Sequence, residues 1–199
     1  NNGISNADWY VVLGGDGHQP ATEPGNPDII YAQSQEGFIH RIDMTNREVV
    51  NIRPQEDIDE PYERFNWDAP ILVSHHNPKK IYFGSQRVWV SENRGDSWSA
   101  ISGDLTKNEE RFSLPIMGGM QSFDNAWDVY AMSTYNTITS LSESALDENI
   151  LYVGTDDGII QHTKDGGKNW TKLTVDKLPG TPKSAFVNDI KACLLYTSP

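Results

Sequence analysis

An octad recurs in this chain and constrains the architecture more than any other feature. Ser91-Glu92-Asn93-Arg94-Gly95-Asp96-Ser97-Trp98 and Thr163-Lys164-Asp165-Gly166-Gly167-Lys168-Asn169-Trp170 share the pattern Ser/Thr-x-Asp/Asn-x-Gly-x-x-Trp. Each follows a matching run, Tyr82-Phe83-Gly84-Ser85 in one case and Tyr152-Val153-Gly154-Thr155 in the other. The second copy is longer in the tight loop at Asp156-Asp157-Gly158, a change of the sort hairpin loops tolerate. A third copy is degenerate. Tyr31 to Ile39 matches Tyr152 to Ile160, but its turn, Asp43-Met44-Thr45-Asn46, lacks the glycine, and Val49 stands where the others carry Trp. Such self-similarity implies stacked units that bury a core between neighbours.

Each copy reads as strands, because its apolar residues alternate or run as short β-branched stretches bounded by turn formers. The middle unit divides into 69–74, 80–85, 87–92 and 97–101, with Asn77-Pro78 turning the first into the second. The last divides into 136–144, 150–155, 159–164 and 169–173, and the first into 9–13, 28–33, 38–43 and 47–52. Residues 186–192 resemble the opening strand of a fourth unit. Tandem four-stranded units of about 40 to 50 residues are the pattern of propeller blades. The expected fold is therefore all-β: a β-propeller fragment of about three four-stranded blades plus the first strand of a fourth. The blades fall at 8–53, 69–102 and 136–174, with a long crossover at 103–135.

The octad has a structural explanation. Asp or Asn at the start of a tight turn accepts hydrogen bonds from backbone N–H groups further on, Gly supplies positive φ, and Ser or Thr adds a local bond. The Trp packs beneath the hairpin while its indole N–H reaches a carbonyl. Ser91, Asn93, Gly95, Trp98, Thr163, Asp165, Gly167 and Trp170 are thus expected to build the fold rather than to carry chemistry. The sequon Asn169-Trp170-Thr171 lies inside this turn and is read as incidental.

These octads resemble the Asp-box, or bacterial neuraminidase repeat, of sialidases, xyloglucanase-type glycosidases and sortilin-type propellers. Arg64-Phe65-Asn66-Trp67-Asp68-Ala69-Pro70, the stretch 101–106, and Asn136-Thr137-Ile138-Thr139-Ser140 through Gly158 are similar to the large bacterial sortilin-like propeller proteins often labelled glycosyl hydrolases. The resemblance covers residues 8 to 192 and implies a secreted or periplasmic protein. Two departures stand out: Asn93 replaces Asp in the middle octad, and the first unit has lost the motif.

Blade topology separates two faces. The octads turn the third strand into the fourth on one face, so the opposite face collects the second-to-third turns and the crossovers. A ligand is expected there, since loops on rigid strands commonly carry function. The candidates are Arg64, Trp67 and Asp68 from one crossover, Trp127 and Asp128 from another, and Asp156 and Asp157 from a hairpin tip. Aromatic, carboxylate and amide groups together suit stacking on sugar rings and bonding to hydroxyls. Trp67 and Phe65 could equally seal one blade against the next, with Arg64 paired to a carboxylate. The 103–135 crossover is longer than a structureless loop should be, so it reads as a lid or an elaborated rim.

Signals for catalysis are thin. Paired carboxylates must lie roughly 5 to 10 Å apart, one with a raised pKa. Asp68, between Trp67 and Ala69-Pro70, is the one acid with apolar neighbours that could raise it; the others sit in polar sequence that favours ordinary ionisation. The sialidase Arg-Ile-Pro motif is absent, since Arg41-Ile42 is followed by Asp43. Gly14-Gly15-Asp16-Gly17-His18 lacks the Lys-Ser/Thr of a phosphate loop. His75-His76 has no third ligand at metal spacing, and His40 and His162 fall at packing or surface positions in strands. No metal or cofactor is expected.

Charge excludes further classes. With 28 Asp and Glu against 16 Lys and Arg, the formal charge of −12 disfavours nucleic acid or an anionic membrane as partner. No apolar stretch approaches the roughly 20 residues that span a bilayer, so no membrane insertion is expected. The chain opens on Asn1 rather than Met and reads as a piece of something longer, whose remaining blades are expected partners. Residues 193–199, Cys193-Leu194-Leu195-Tyr196-Thr197-Ser198-Pro199, read as the in-frame translation of a transposase adapter used in sequencing libraries; on that reading the single cysteine is not native. The favoured function is binding of a peptide or glycan. The rivals are a glycoside hydrolase of the xyloglucanase type and a non-catalytic assembly scaffold, because one fold hosts many functions.

Overall fold

In the computed structural model, residues 3–17, 19–116, 118–130 and 134–193 are described. The first four strands are β1 (Ala21–Glu23), β2 (Asn26–Gln33), β3 (Ile39–Asp43) and β4 (Glu48–Asn51). Next come β5 (Ile71–Val73), β6 (Ile81–Gly84), β7 (Val88–Ser91) and β8 (Ser99–Ala100). The long crossover then carries β9 (Pro115–Ile116) paired with β10 (Gly119–Met120), and the five-residue helix α1 (Ala126–Tyr130). The last four strands are β11 (Ile138–Glu143), β12 (Leu151–Thr155), β13 (Ile159–Thr163) and β14 (Thr171–Thr174). Each set of four forms one antiparallel sheet in sequence order. Three such sheets side by side make this an all-β fold, part of a β-propeller.

Burial explains why the middle strands are apolar without a break. Side chains alternate between the two faces of a strand, and the middle sheet is covered on both sides. On β6, Ile81 and Phe83 join Ile29, Tyr31, Ile39 and Trp89 in a core between the first and second sheets. Tyr82, between them in sequence, turns the other way and packs with Val88, Ile138, Leu151 and Val153 against the third sheet. Every residue of β6 is therefore buried, whereas outermost β4 and β14 are mostly exposed. Complete burial of one such aliphatic side chain contributes about 1.5 to 3 kcal/mol.

The octads fasten each sheet to the one before it. Ser91 Oγ accepts from Gly95 N at 2.8 Å, Asn93 Oδ1 accepts from Ser97 N at 2.9 Å, and Trp98 Nε1 donates to the Ile52 carbonyl at 2.7 Å. The second octad repeats this, with Gly167 N on Thr163 Oγ1 at 3.0 Å, Asn169 N on Asp165 Oδ1 at 2.9 Å and Trp170 Nε1 on the Ile101 carbonyl at 3.2 Å. Ile52 and Ile101 each follow the outer strand of the preceding sheet, so the indole reaches across the boundary between sheets. Gly95 and Gly167 complete the approach. Their φ values are +87° and +95°, and an added Cβ would lie 2.5 Å from Ile52 Cδ1 or 2.6 Å from the Ile101 carbonyl. Where the tryptophan is replaced by Val49, Asp43 still accepts from Thr45 N at 2.8 Å, but Val49 is exposed.

Buried acids strengthen the same boundaries. Glu23 is held by Arg94 through two contacts of 2.5 and 2.8 Å and by the Tyr31 hydroxyl at 3.1 Å. Glu143 accepts from Ser74 Oγ at 2.9 Å, His75 N at 2.7 Å and the Tyr82 hydroxyl at 3.2 Å. Such bonding offsets the cost of burying a carboxylate.

Two sequence expectations need correction. The opening strand is not 9–13: a short 3-10 turn at Asn6–Asp8 leads into a segment with Trp9 and Val11 exposed, and Ala21–Glu23 takes the edge of β2 instead. Pro24-Gly25 makes the hairpin, with Gly25 at φ +78°, and this turn dipeptide was the overlooked signal. Residues 186–192 lie along β11 without joining a ladder. Val187 N donates to the Thr155 carbonyl at 3.0 Å, while Thr139 Oγ1 and Ser142 Oγ bond to the Val187 carbonyl and Ala192 N at 2.8 and 2.9 Å. Cys193 is exposed, and residues 194–199 of the suspected adapter tail lie outside the described residues.

Candidate functional site

On the face opposite the octads, each second-to-third hairpin tip is latched to a crossover. In the first sheet, Glu36 N and Gln33 Nε2 donate to the Trp67 carbonyl at 3.2 and 3.3 Å. In the second, fully buried Glu63 accepts from Ser85 Oγ, from Arg87 Nε at 2.6 Å and from Trp89 Nε1 at 3.0 Å. The third uses its two aspartates. Asp156 accepts from Thr137 N at 2.9 Å and Thr137 Oγ1 at 2.7 Å, and Asp157 accepts from Lys107 N at 2.6 Å and from Thr155 Oγ1.

This geometry overturns the expectation that the tip acids are solvated and, for Asp156, that it is ordinarily ionised. Asp156 is 6% exposed and Asp157 0%. Burial pushes the Asp156 carboxyl up to about 6, against the opposing hydrogen bonds from Thr137 and with a further contribution from Asp157. Alternating tip residues can both be buried because crossover segments close over the turn from two sides: Thr137 from the start of the third sheet and Lys107 from the end of the second.

The other sequence candidates are distributed along the same face. Arg64 donates to Asp104 Oδ2 at 2.6 Å and to the Asn136 carbonyl at 3.2 Å, so its guanidinium ties crossover to crossover. Phe65 stacks on Phe83 at 5.1 Å and is buried, which makes it a seal between sheets. Trp67 keeps 38% of its surface exposed. Asp68 lines a small cavity of about 80 Å³ with Gln19, Asn66, Thr139, Phe186 and Asn188. Asn66 connects this corner to the acid pair: its Nδ2 donates to Thr137 Oγ1 at 2.9 Å, and its Oδ1 accepts from Asp68 N at 3.1 Å. Trp127 is 78% exposed on α1, and Asp128 accepts from Ser122 N and Asn125 Nδ2, both at 3.0 Å. Arg64, Asp68 and Asp156 are thereby linked through the 136–137 segment, Asp157 holds Lys107 instead, and the bonds of Asp128 stay within its own turn and helix.

Sequence reasoning did not single out a second cavity on this face, larger than that of Asp68. A space of about 420 Å³ is lined by Lys107, Glu109, Arg111, Leu114, Pro115, Tyr135, Lys183 and Ser184. It lies beside the Asp156–Asp157 tip, between the long crossover and the segment leaving β14. Asn136 holds the crossover in place, its Oδ1 accepting from Glu109 N at 2.9 Å and its Nδ2 donating to the Glu109 carbonyl at 2.8 Å. The Arg111 guanidinium lies 5.4 Å from the Tyr135 ring centroid. Burial holds Arg111 below its ordinary value, and burial with the charges of Asp157 and Asp156 pushes the Tyr135 hydroxyl up to about 12. The hydroxyl is therefore a neutral donor at physiological pH. Crossover length was the one clue available in the sequence. Among the described residues no group of three His, Cys, Asp or Glu side chains is placed to hold a metal ion.

No protein-family model and no curated protein matches the sequence. Among solved structures, the chain is similar to the extracellular domain of a Bacteroides thetaiotaomicron protein described as a one-component system, with TM-score 0.53 and 12% identity over 89% of this chain and 19% of that one. It is also similar to the Niastella koreensis GH74 enzyme, with TM-score 0.48 and 12% identity over 78% of this chain and 22% of that one. An auxiliary nutrient binding protein from Bacteroides thetaiotaomicron gives TM-score 0.47 and 10% identity over 81% and 31% of the respective chains. The chain thus spans between about a fifth and a third of the proteins it matches. At these identities the likeness concerns the fold, and that fold is of the β-propeller type.

Proposed function

We propose that this chain is part of a secreted or periplasmic β-propeller of the sortilin-like Asp-box type that captures a glycan or peptide on the face opposite its octad turns. The observation that carries the reading is the cavity of about 420 Å³ beside the third sheet's hairpin tip, within the usual size range of ligand sites. Its Tyr135, Leu114 and Pro115 supply apolar surface, and Glu109, Arg111 and Ser184 supply polar groups around it. Asp156 and Asp157 serve this reading by holding Thr137 and Lys107, which position the walls. No helix among the described residues is long and apolar enough to cross a membrane. Titration calorimetry with neutral and acidic oligosaccharides and with short peptides tests the reading: Tyr135→Ala should weaken capture without changing the melting temperature by more than a few degrees. Absence of saturable binding across the panel would remove it.

A second reading, glycoside hydrolysis, is favoured by one observation, the raised pKa of Asp156. Against it, both Asp156 oxygens already accept bonds from Thr137, and the side chain is buried beneath the turn. Release of reducing ends from a polysaccharide panel, lost in Asp156→Asn or Asp68→Asn, would establish hydrolysis in place of capture.

A further inference from the structure

Another cavity, of about 250 Å³, lies at the second sheet's hairpin tip, with Pro61, Arg64, Gln86, Arg87, Asp104 and Asn108 in its lining. The strap 107–109 stands between it and the cavity of about 420 Å³: Lys107 and Glu109 line the larger space and Asn108 the smaller. Asn136 clamps the strap through Glu109, while its carbonyl accepts from Arg64 Nε at 3.2 Å. Asn108 sits at φ +54° and is exposed. Its backbone N–H donates to Thr106 Oγ1 at 3.0 Å, but its side-chain amide bonds to no described residue.

Both cavities carry charge of both signs. In the smaller, Arg64 pairs with Asp104 at 2.6 Å, and Arg87 pairs with Glu63 at 2.6 Å and with Glu60. In the larger, Lys107 and Lys183 face Glu109, Arg111 interacts with Asp156, and the charges of Asp157, Asp156 and Glu109 all reach the Tyr135 hydroxyl.

We infer that the two cavities form one elongated site for an uncharged oligosaccharide, which lies across the 107–109 strap with its units divided between them. This rests on the ligand-capture reading above and extends it from one cavity to two. The smaller space alone falls under the usual lower bound of about 300 Å³ for a ligand site, so it serves as the continuation of the larger. A charged ligand would meet like charge in either cavity, which is costly. Sugar hydroxyls both donate and accept, so they suit the cation and the carboxylate of each pair. Tyr135 offers a ring to a sugar face in the larger cavity, and exposed Tyr62, next to Pro61, offers one at the rim of the smaller. On the strap between them, the Asn108 amide supplies donors and an acceptor. An extended peptide fits less well. Peptides commonly add to a sheet edge through backbone N–H and C=O groups, and the one strand residue described in either lining, Pro115 of β9, has no N–H to offer.

Calorimetric titrations of the 199-residue chain test this with the disaccharides and hexasaccharides of cellulose, xylan and mannan, with hexagalacturonic acid and with hexaserine. A neutral hexasaccharide should bind roughly 10-fold or more tightly than its disaccharide, the scale of one or two added hydrogen bonds. Asn108→Gly keeps the positive φ while removing the amide, and it should bring the hexasaccharide down towards the disaccharide without changing the disaccharide. Tyr62→Ala, at an exposed position, should act in the same direction and guards against a local effect of the glycine; circular dichroism melting verifies that both remain folded. Tyr135→Ala should weaken both lengths alike. Equal affinity for the two lengths, or no selective loss of the longer in either variant, would overturn the two-cavity site while leaving ligand capture standing. Hexagalacturonic acid binding more tightly than every neutral hexasaccharide would overturn the assignment of an uncharged ligand. Hexaserine binding with no saccharide binding would overturn it in favour of a peptide. No saturable binding of any probe would overturn both readings.

Discussion

At the two ends of the third sheet, Asp165 and Asp156 each sit in a tight turn, and the two behave in opposite ways. Asp165, in the octad, is only half-buried and accepts from Asn169 Nδ2 at 2.7 Å, Asn169 N at 2.9 Å and Thr163 Oγ1 at 2.7 Å, which hold its carboxyl down to about 2. Asp156, in the hairpin tip, also accepts backbone and hydroxyl bonds, yet burial wins and its carboxyl rises to about 6. Similar local bonds therefore give opposite shifts, because one turn faces water and the other is closed over by neighbouring chain. The octad turn around Asp165 is a clasp held by its own residues. The other end depends on crossovers, and for that reason it can enclose a cavity.

The largest effects should come from the clasp. Trp98→Ala and Trp170→Ala each remove a ring packed against a core cluster and an indole bond to the preceding sheet. A loss of roughly 3 kcal/mol is expected for each, read as a drop in denaturant midpoint, with oligosaccharide affinity retained at a permissive temperature. A variant that kept its midpoint but lost affinity would erase the division between the two ends.

Gly167→Ala comes next. It forces an L-residue to φ +95° and sets its Cβ 2.6 Å from the Ile101 carbonyl, at an expected cost of about 1 to 3 kcal/mol. Differential scanning calorimetry should register a lower melting temperature with an unchanged ligand profile.

Asp156 gives a dependence on pH whose sign is fixed by its raised value. The native state holds this proton more tightly than the unfolded chain, so the stability it contributes is full below pH 3.8 and is lost as pH rises through about 6. The span corresponds to about 3 kcal/mol, and Asp156→Asn should flatten that part of a stability-against-pH curve. Asp165 runs the other way: its contribution is present above pH 3.8 and is lost as pH falls towards 2. Asp165→Asn should remove the acid-side loss, and the middle octad already carries Asn93 at that position, making the same turn bond to Ser97 N. If both variants shifted stability in the same pH window, the contrast between buried tip and half-buried clasp would fail.

The smallest effect on stability belongs to Trp127→Ala. With 78% of the side chain exposed, a change within about 0.5 kcal/mol is expected. A larger loss in urea titration would mean that the crossover helix is part of the core.

Regular, local features were legible in the sequence. Eleven of the twelve strands in the four-stranded sheets have their cores inside the expected spans, all but the first of the first unit, because period-two alternation and turn residues act over a few positions. The turn bonds of the octad were readable too, since those of Ser91, Asn93, Thr163 and Asp165 run within the same eight residues, whereas the indoles of Trp98 and Trp170 reach the preceding sheet. What the sequence left open was every feature made by segments distant along the chain. The edge of β2 went to Ala21–Glu23 rather than to the more apolar stretch at 9–13, because pairing is decided by reach and by the Pro24-Gly25 turn as well as by hydrophobicity. Asp156 and Asp157 looked solvated beside polar neighbours, but Thr137 and Lys107 arrive from other parts of the chain to bury them. The cavity of Lys107, Arg111, Tyr135 and Lys183 likewise exists only once two crossovers meet, since desolvation and enclosure depend on what lies nearby in space, whatever its place in the sequence.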